Sequence, residues 1–422
     1  MIAQPAISTD NPPSSGPFDS FRTRPEVSLC LLDDGALLFD ARPHKLYSAN
    51  TMAAFIWCCL DDGLKPADIA AKIETTFHVS LVEADRYLLS ALKNWIYLDL
   101  VTDRADPETS TEPTDTGFAS SLLTEPAPAS VANSFKPVCE GSYRLLDTHF
   151  RLRFASADAR RTLDMYLRPF AAPFPLPDAR EHSTTIDLIE RGNDCALVHD
   201  GLILEKWANR DEIVPIAKLA LITLALERSR DFGAVHAAAV HKASDSRCLL
   251  LPGRSGAGKS TLTAALTGDG FMALGDDTIV LARGSLAARP IPFGVCLKDG
   301  SWNLLANRFP RLATYPIHRR PDRKRVRYLI PENGRPTTAT QGRHVVTWMI
   351  FPERNDHGEA CLVPLRRLEA LSRFILQFCP LGAGLDSLKI ERLSQWIATI
   401  DCFELRFSTL EQGVQQIKEL CA

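Results

Sequence analysis

The sequence predicts an α/β phosphate-loop domain preceded by a small α+β unit of winged-helix-like pattern. Three observations predict it. Residues 249–266, LLLPGRSGAGKSTLTAAL, read as an apolar strand, a glycine-rich turn and a helix. Two adjacent carboxylates, Asp276 and Asp277, end a further strand pattern 17 residues after Lys259. Upstream, a hairpin pattern and three short helical patterns occupy residues 21–103.

At 422 residues the chain exceeds one typical core, so two domains are expected. Hydrophobic content of 45% and charged content of 23% are those of a globular protein. A net charge of −3 gives no whole-chain argument for nucleic acid or membrane. The eleven cysteines are scattered, no C-x-x-C occurs, and Cys58-Cys59 lie inside an apolar helical pattern. They read as reduced core residues of a cytoplasmic protein rather than a disulfide frame or a zinc site. The N-terminus lacks a basic region followed by an apolar one, so no signal peptide is expected. The most apolar helical stretch, 213–226, is short and contains Lys218, so no transmembrane span is expected.

Residues 1–20 are rich in Pro, Ser and Gly and are expected to be disordered. Residues 27–32 and 36–39 flank Asp33-Asp34-Gly35 as a β-hairpin, and Leu46-Tyr47 adds a short extended piece. Asn50 or Thr51 caps a first helix that stops at Gly63; Pro66 opens a second, with Ile69, Ile73 and Phe77 as its apolar stripe. A third runs over about 83–99. This winged-helix-like pattern raises DNA binding, but residues 21–103 hold eight Lys/Arg against twelve Asp/Glu. A DNA reader needs a basic face, so no nucleic acid partner is expected. Residues 104–137 hold five prolines and ten Ser/Thr and read as a linker. The large domain follows over 138–422, with a strand over 143–154, extended pieces at 186–189 and 196–198, and a helix over 211–230. Residues 234–240 read as one small-residue strand. Residues 344–351 and 359–364 read as paired strands, followed by two helices, a strand over 402–407 and a last helix.

Gly253-Arg254-Ser255-Gly256-Ala257-Gly258-Lys259-Ser260 fills every fixed position of G-x-x-x-x-G-K-[ST]. Glycines let the backbone wrap so that its N–H groups aim at an anion, and the following helix adds its positive end. Lys259 reaches the β/γ-phosphates and the Ser260 hydroxyl takes a Mg²⁺ position. ATP and Mg²⁺ are therefore the expected ligands. Asp276 and Asp277 sit at the carboxyl end of a strand, where α/β sheets bind ligands; between them they can hold Mg²⁺ and accept a proton from the attacking hydroxyl. His236, in the strand before the phosphate-loop strand, reads either as a core residue or as part of the same cleft. Residues 319–327 pack six cations around Asp322. Three readings compete for them: a solvated basic loop, arginines that stabilise the transferring phosphate, or a holder of an acidic peptide. Lys298 is a weaker phosphate candidate.

Two resemblances follow from these residues. Asn50 to Trp57, Leu60-Asp61-Asp62-Gly63 and the helix from Pro66 to Phe77 resemble a PqqD-type peptide chaperone over about 80 residues. That resemblance implies recognition of the leader of a ribosomally made, modified peptide, added as a strand to the sheet edge. VHAAAV, GRSGAGKST and LGDDTIV, in that order, resemble the HPr kinase/phosphorylase family, whose fold is shared with phosphoenolpyruvate carboxykinases. The match is strong over about 230–283 and weak elsewhere. It implies Lys259 on the phosphates, Ser260 and Asp277 on Mg²⁺, Asp276 as base and His236 supporting the carboxylates, with the assignment of the two aspartates open. Arg254, Ala257 and Thr261 depart from the family pattern without breaking the phosphate logic. No stretch matches the region for reverse phosphorolysis, so phosphorylase activity is not expected. The family analogy admits a homo-oligomer. The leading expectation is a kinase of a Ser/Thr hydroxyl on a peptide held by the small domain. A signalling or small-molecule kinase is a second reading, and a nucleotide-gated, non-catalytic peptide chaperone a third.

Overall fold

The computed structural model describes residues 21–32, 35–40, 42, 45–103, 125–126, 135–172, 183–191, 194–207, 209–242, 245–330, 342–382 and 384–422. The expected disordered start (1–20), the Asp33-Asp34 turn and most of the expected linker (104–137) lie outside these residues. The chain forms two compact units: residues up to Thr114 with Asp386–Ser394, and Asp115–Leu385 with Gln395–Ala422. No described helix is long and apolar enough to cross a membrane.

In the first unit Val27–Leu32, Gly35–Asp40 and Lys45–Ala49 make an antiparallel meander, with Leu32 opposite Gly35. Asn50 caps the helix Thr51–Asp61 by accepting from the Ala53 amide at 2.8 Å. Pro66 occupies the first turn of the helix Pro66–Phe77, where its missing N–H costs nothing. The third helix, Leu81–Tyr97, starts two residues earlier than its apolar periodicity suggests. Ser80 and Glu83 form a reciprocal capping box there. The apolar stripes meet around Trp57 and Trp95, whose rings pack edge to face at 5.0 Å. Phe21–Thr23 and Val101–Asp103 close the unit as a two-stranded ribbon.

A buried ion pair ties this unit together. Arg42 grips the buried Asp40 with two hydrogen bonds of 3.0 and 2.7 Å. It also donates to the Asp99 carboxylate at 2.7 Å and the Asp99 carbonyl at 2.6 Å. Arg42→Ala leaves Asp40 buried without a cation. We expect a loss of about 3 kcal/mol in the stability of this unit, read by urea unfolding, with part regained in Arg42→Lys.

The second unit is mixed α/β with several sheets. Its first sheet orders Glu125–Pro126, Leu202–Trp207, Asp194–His199, Ser183–Arg191, Thr148–Phe154 and Cys139–Leu145. The single strand expected over 143–154 is thus a hairpin. It turns at Leu146, whose φ of 54° is left-handed, and the turn continues the apolar–polar alternation and so hides in it. The helices Ala157–Leu167 and Ile213–Glu227 join this sheet in one core around Phe150, Phe154, Leu163 and Leu221.

The second sheet positions the phosphate loop. Its order is Phe271–Gly275, Ala237–Lys242, Arg247–Pro252, Val345–Arg354, Asp401–Phe407 and Cys361–Pro364. The strands expected to pair over 344–351 and 359–364 do not touch in this ladder: Asp401–Phe407 lies between them, parallel to the first and antiparallel to the second. Phe271–Gly275 and the phosphate-loop strand both run antiparallel to Ala237–Lys242. Their carboxyl ends therefore open at one edge, beside the amino end of the strand between them.

The stretch 234–240 is not one strand. It breaks at His236 into Gly233–Val235, in a small sheet with Ile279–Leu281 and Phe378–Pro380, and Ala237–Lys242 in the large one. Its neighbour breaks likewise at Asp276–Thr278, between Phe271–Gly275 and Ile279–Leu281. Because both halves pair on each side, the two breaks face each other. Backbone groups freed there from the ladder become available to the site.

Candidate functional site

The loop 253–258 leaves the strand Arg247–Pro252 and enters the helix Lys259–Gly268. Gly256 and Gly258 hold φ of 95° and 92°, conformations that a side chain rarely adopts. A Cβ on Gly258 would also stand 3.4 Å from the Phe407 ring. Lys259 is buried, and its ammonium donates to the carbonyls of Gly253 at 2.5 Å and Arg254 at 3.1 Å. Burial lowers its pKa, and Asp277 and Asp276 work against that shift. Within the loop Arg254 stays exposed, its guanidinium 4.0 Å from Glu353. The amide of Ala257 reaches the Arg254 carbonyl at 3.3 Å. Ser255 accepts from Lys298 at 2.9 Å, which brings that weaker candidate to the loop. Thr261 shares a hydrogen bond of 2.8 Å with Ser301.

His236 lies 3.0 Å through Nδ1 from the Asp277 carbonyl, which can only accept. Nδ1 therefore carries the proton, and Nε2 accepts from the Lys259 ammonium at 3.1 Å. Burial, then the Lys259 charge, push the imidazole pKa down, which keeps it in this neutral form.

The two aspartates are held differently. Asp276 is buried; Oδ1 accepts from the Ser260 hydroxyl at 3.0 Å and Oδ2 from the Cys296 amide at 2.8 Å. Burial and the neighbouring Asp277 push its pKa up to about 7. Asp277 stands in a left-handed conformation, φ 71°. Burial works to raise its pKa, but the charges of Lys218, Arg320 and Lys259 outweigh that and hold it below the usual carboxylate range. One carboxylate of the pair is thus kept charged while the other sits near neutrality.

All the expected site residues 236, 253–261, 276 and 277 thus meet at one sheet edge. Two further residues escaped sequence reasoning. Lys218, buried in the apolar helix Ile213–Glu227, places its ammonium 3.7 Å from Asp277 and 5.5 Å from the centre of the Tyr328 ring. The signal was present: it is the lone charge inside residues 213–226. Arg320, half-buried, pairs with Asp322 at 3.3 Å and is one of the cations acting on Asp277. The basic segment 319–327 is not a uniform loop. It is a turn between His318–Arg319 and Arg325–Leu329, with Arg319 on Asp211 at 3.6 Å. Arg325 and Arg327 lie over the Trp302 ring at 5.6 and 4.2 Å.

The donor set suits Mg²⁺. A hydroxyl and two carboxylates, all hard oxygen groups, lie beside the glycine-rich loop. Among the described residues no group of three or more His, Cys, Asp or Glu could hold a metal alone. The eleven cysteines are all free thiols.

No family model and no curated protein matches the chain. Among solved structures, one described as lasso peptide synthetase B1 complexed with the leader peptide matches at 30% identity. The match covers 20% of this chain and 98% of that one, with a TM-score of 0.19. Another, described as TbiB1 in complex with the TbiA(beta) leader peptide, matches at 21% identity over 20% of this chain and 99% of that one, also with a TM-score of 0.19.

Proposed function

We propose that the second unit is an ATP- and Mg²⁺-dependent kinase, related in type to HPr kinase, that phosphorylates a Ser or Thr hydroxyl of a peptide. The observation that carries this reading is the convergence of a phosphate loop, a Ser260–Asp276 couple and a separately ionised Asp277 at one sheet edge. Loop amides and Lys259 bind the β- and γ-phosphates. Ser260 and Asp276 would hold Mg²⁺, which when bound neutralises phosphate charge. Asp277 then takes the proton of the acceptor hydroxyl as its oxygen bonds to the γ-phosphorus and the bond to the β-phosphate oxygen breaks, giving ADP and a phosphate monoester. This exchanges the two aspartate roles that the family resemblance first suggests. The hydrogen bond from Ser260 to Asp276 favours the exchange, because it pairs the two oxygen groups that would share the ion.

The first unit, on this reading, is a PqqD-like holder of the precursor's leader, the class of ligand that the two matched solved chains are described as binding. Its meander ends in the edge strands Val27–Leu32 and Lys45–Ala49, either of which can accept an added peptide strand. Incubation with γ-labelled ATP and hydroxyl-bearing peptides, with and without a leader segment, tests both parts. Transfer that falls in Asp277→Asn and improves in KM when the leader is attached supports the reading. No transfer to any peptide sinks the kinase, and an indifferent KM sinks the leader role.

A further inference from the structure

The strands Val295–Lys298, Arg325–Leu329 and His318–Arg319 form a three-stranded sheet beside the carboxylates. Lys298 pairs with Val326 and Arg319 with Arg325, so Lys298 and the turn 320–324 leave the sheet at the same end. The bond from Lys298 to Ser255 makes this the phosphate-loop end. Arg320, at the start of the turn, is half-buried and paired with Asp322 at 3.3 Å. Beyond it Arg323, Lys324 and Arg325 are exposed. Lys324 is satisfied by Asp322 at 3.0 Å, but among the described residues no carboxylate pairs with Arg323 or Arg325. Arg323 also holds a φ of 65°, a left-handed conformation that glycine or asparagine would take at lower cost. In a chain of net charge −3 these are local cations, not part of a general basic surface.

We propose that this turn, through Arg323 and Arg325, selects an acidic acceptor: a peptide segment with Asp or Glu beside the Ser or Thr that receives the phosphate. The inference rests on the kinase reading for the identity of the reaction, but the binding surface stands on its own geometry. The guanidinium fork matches a carboxylate in bidentate fashion, and both arginines have that capacity unused. The phosphates of ATP already have the loop amides, Lys259 and Arg320, which leaves the outer pair for the acceptor.

The test uses the full chain and two sets of hydroxyl peptides, identical except for Asp and Glu in one and Asn and Gln in the other. Binding is read by fluorescence anisotropy and transfer by steady-state kinetics. The acidic set should bind more tightly and show the lower KM, with the preference weakening as salt is added. The double variant Arg323→Ala/Arg325→Ala should raise that KM roughly tenfold, leaving kcat, the KM for ATP and the amide set unchanged. Equal handling of the two sets, or a double variant indistinguishable from wild type, overturns the proposal. So does a single-stranded oligonucleotide that competes as well as the acidic peptide. Preferential binding of the acidic set without any transfer overturns the kinase reading and leaves the acidic surface standing.

Discussion

Lys259→Met should lower phosphoryl transfer roughly a thousandfold, because it removes the buried cation that the phosphate loop wraps through its carbonyls. The methionine chain fills the space of the lysine stem, so the loss is of charge and donors rather than of packing. Three acceptors lose a hydrogen bond at once, the carbonyls of Gly253 and Arg254 and Nε2 of His236, although the Arg254 carbonyl keeps the Ala257 amide. A stability loss of about 1–3 kcal/mol should accompany the kinetic one. Lys259→Arg should not rescue activity, since at this buried position a planar fork does not reproduce the compact ammonium bonded to the Gly253 and Arg254 carbonyls. ATP affinity by isothermal titration and transfer by γ-label counting check the two halves separately. Peptide binding by the first unit should be unchanged.

Lys218→Met should be nearly as severe, although no sequence motif contains this lysine. Its ammonium leads the charges that hold the half-buried Asp277 ionised, and it also acts on the buried Asp276. Without it two adjacent carboxylates face each other with less compensation, and a proton binds between them at neutral pH. We expect kcat to fall by about two orders of magnitude. Nucleotide affinity measured without Mg²⁺ should change by no more than a few-fold, because Lys218 does not contact the loop. That split separates positioning from a general loss of fold. Lys218→Arg keeps the charge and should recover part of kcat. A variant that loses nucleotide affinity and thermal stability together with kcat would make Lys218 merely structural.

The sequence disclosed what is local. The phosphate loop, its strand and its helix are specified by adjacent residues, and Asp276-Asp277 lie within a few positions of a strand end. The helix starts marked by Asn50 and Pro66 are equally readable. What escaped depends on contacts between distant segments. The break at His236 is invisible in an unbroken run of small residues, because only its two partners reveal that it serves two sheets. Asp401–Phe407 enters between two strands whose sequence reads as a pair, since pairing with strands distant in sequence leaves no local signal. In the sequence Lys218 only interrupts an apolar helix; in the fold its ammonium stands 3.7 Å from the Asp277 carboxylate. Arg320 could not be told from its five cationic neighbours until the turn was folded.

The central claim is transfer of the γ-phosphate to a peptide hydroxyl rather than to water. Phosphorus NMR of the full-length protein with ATP, Mg²⁺ and a leader-bearing, Ser- and Thr-containing peptide tests it most directly. A phosphate monoester signal should grow one for one with ADP. Inorganic phosphate in its place, or ATP left unconsumed, would contradict it.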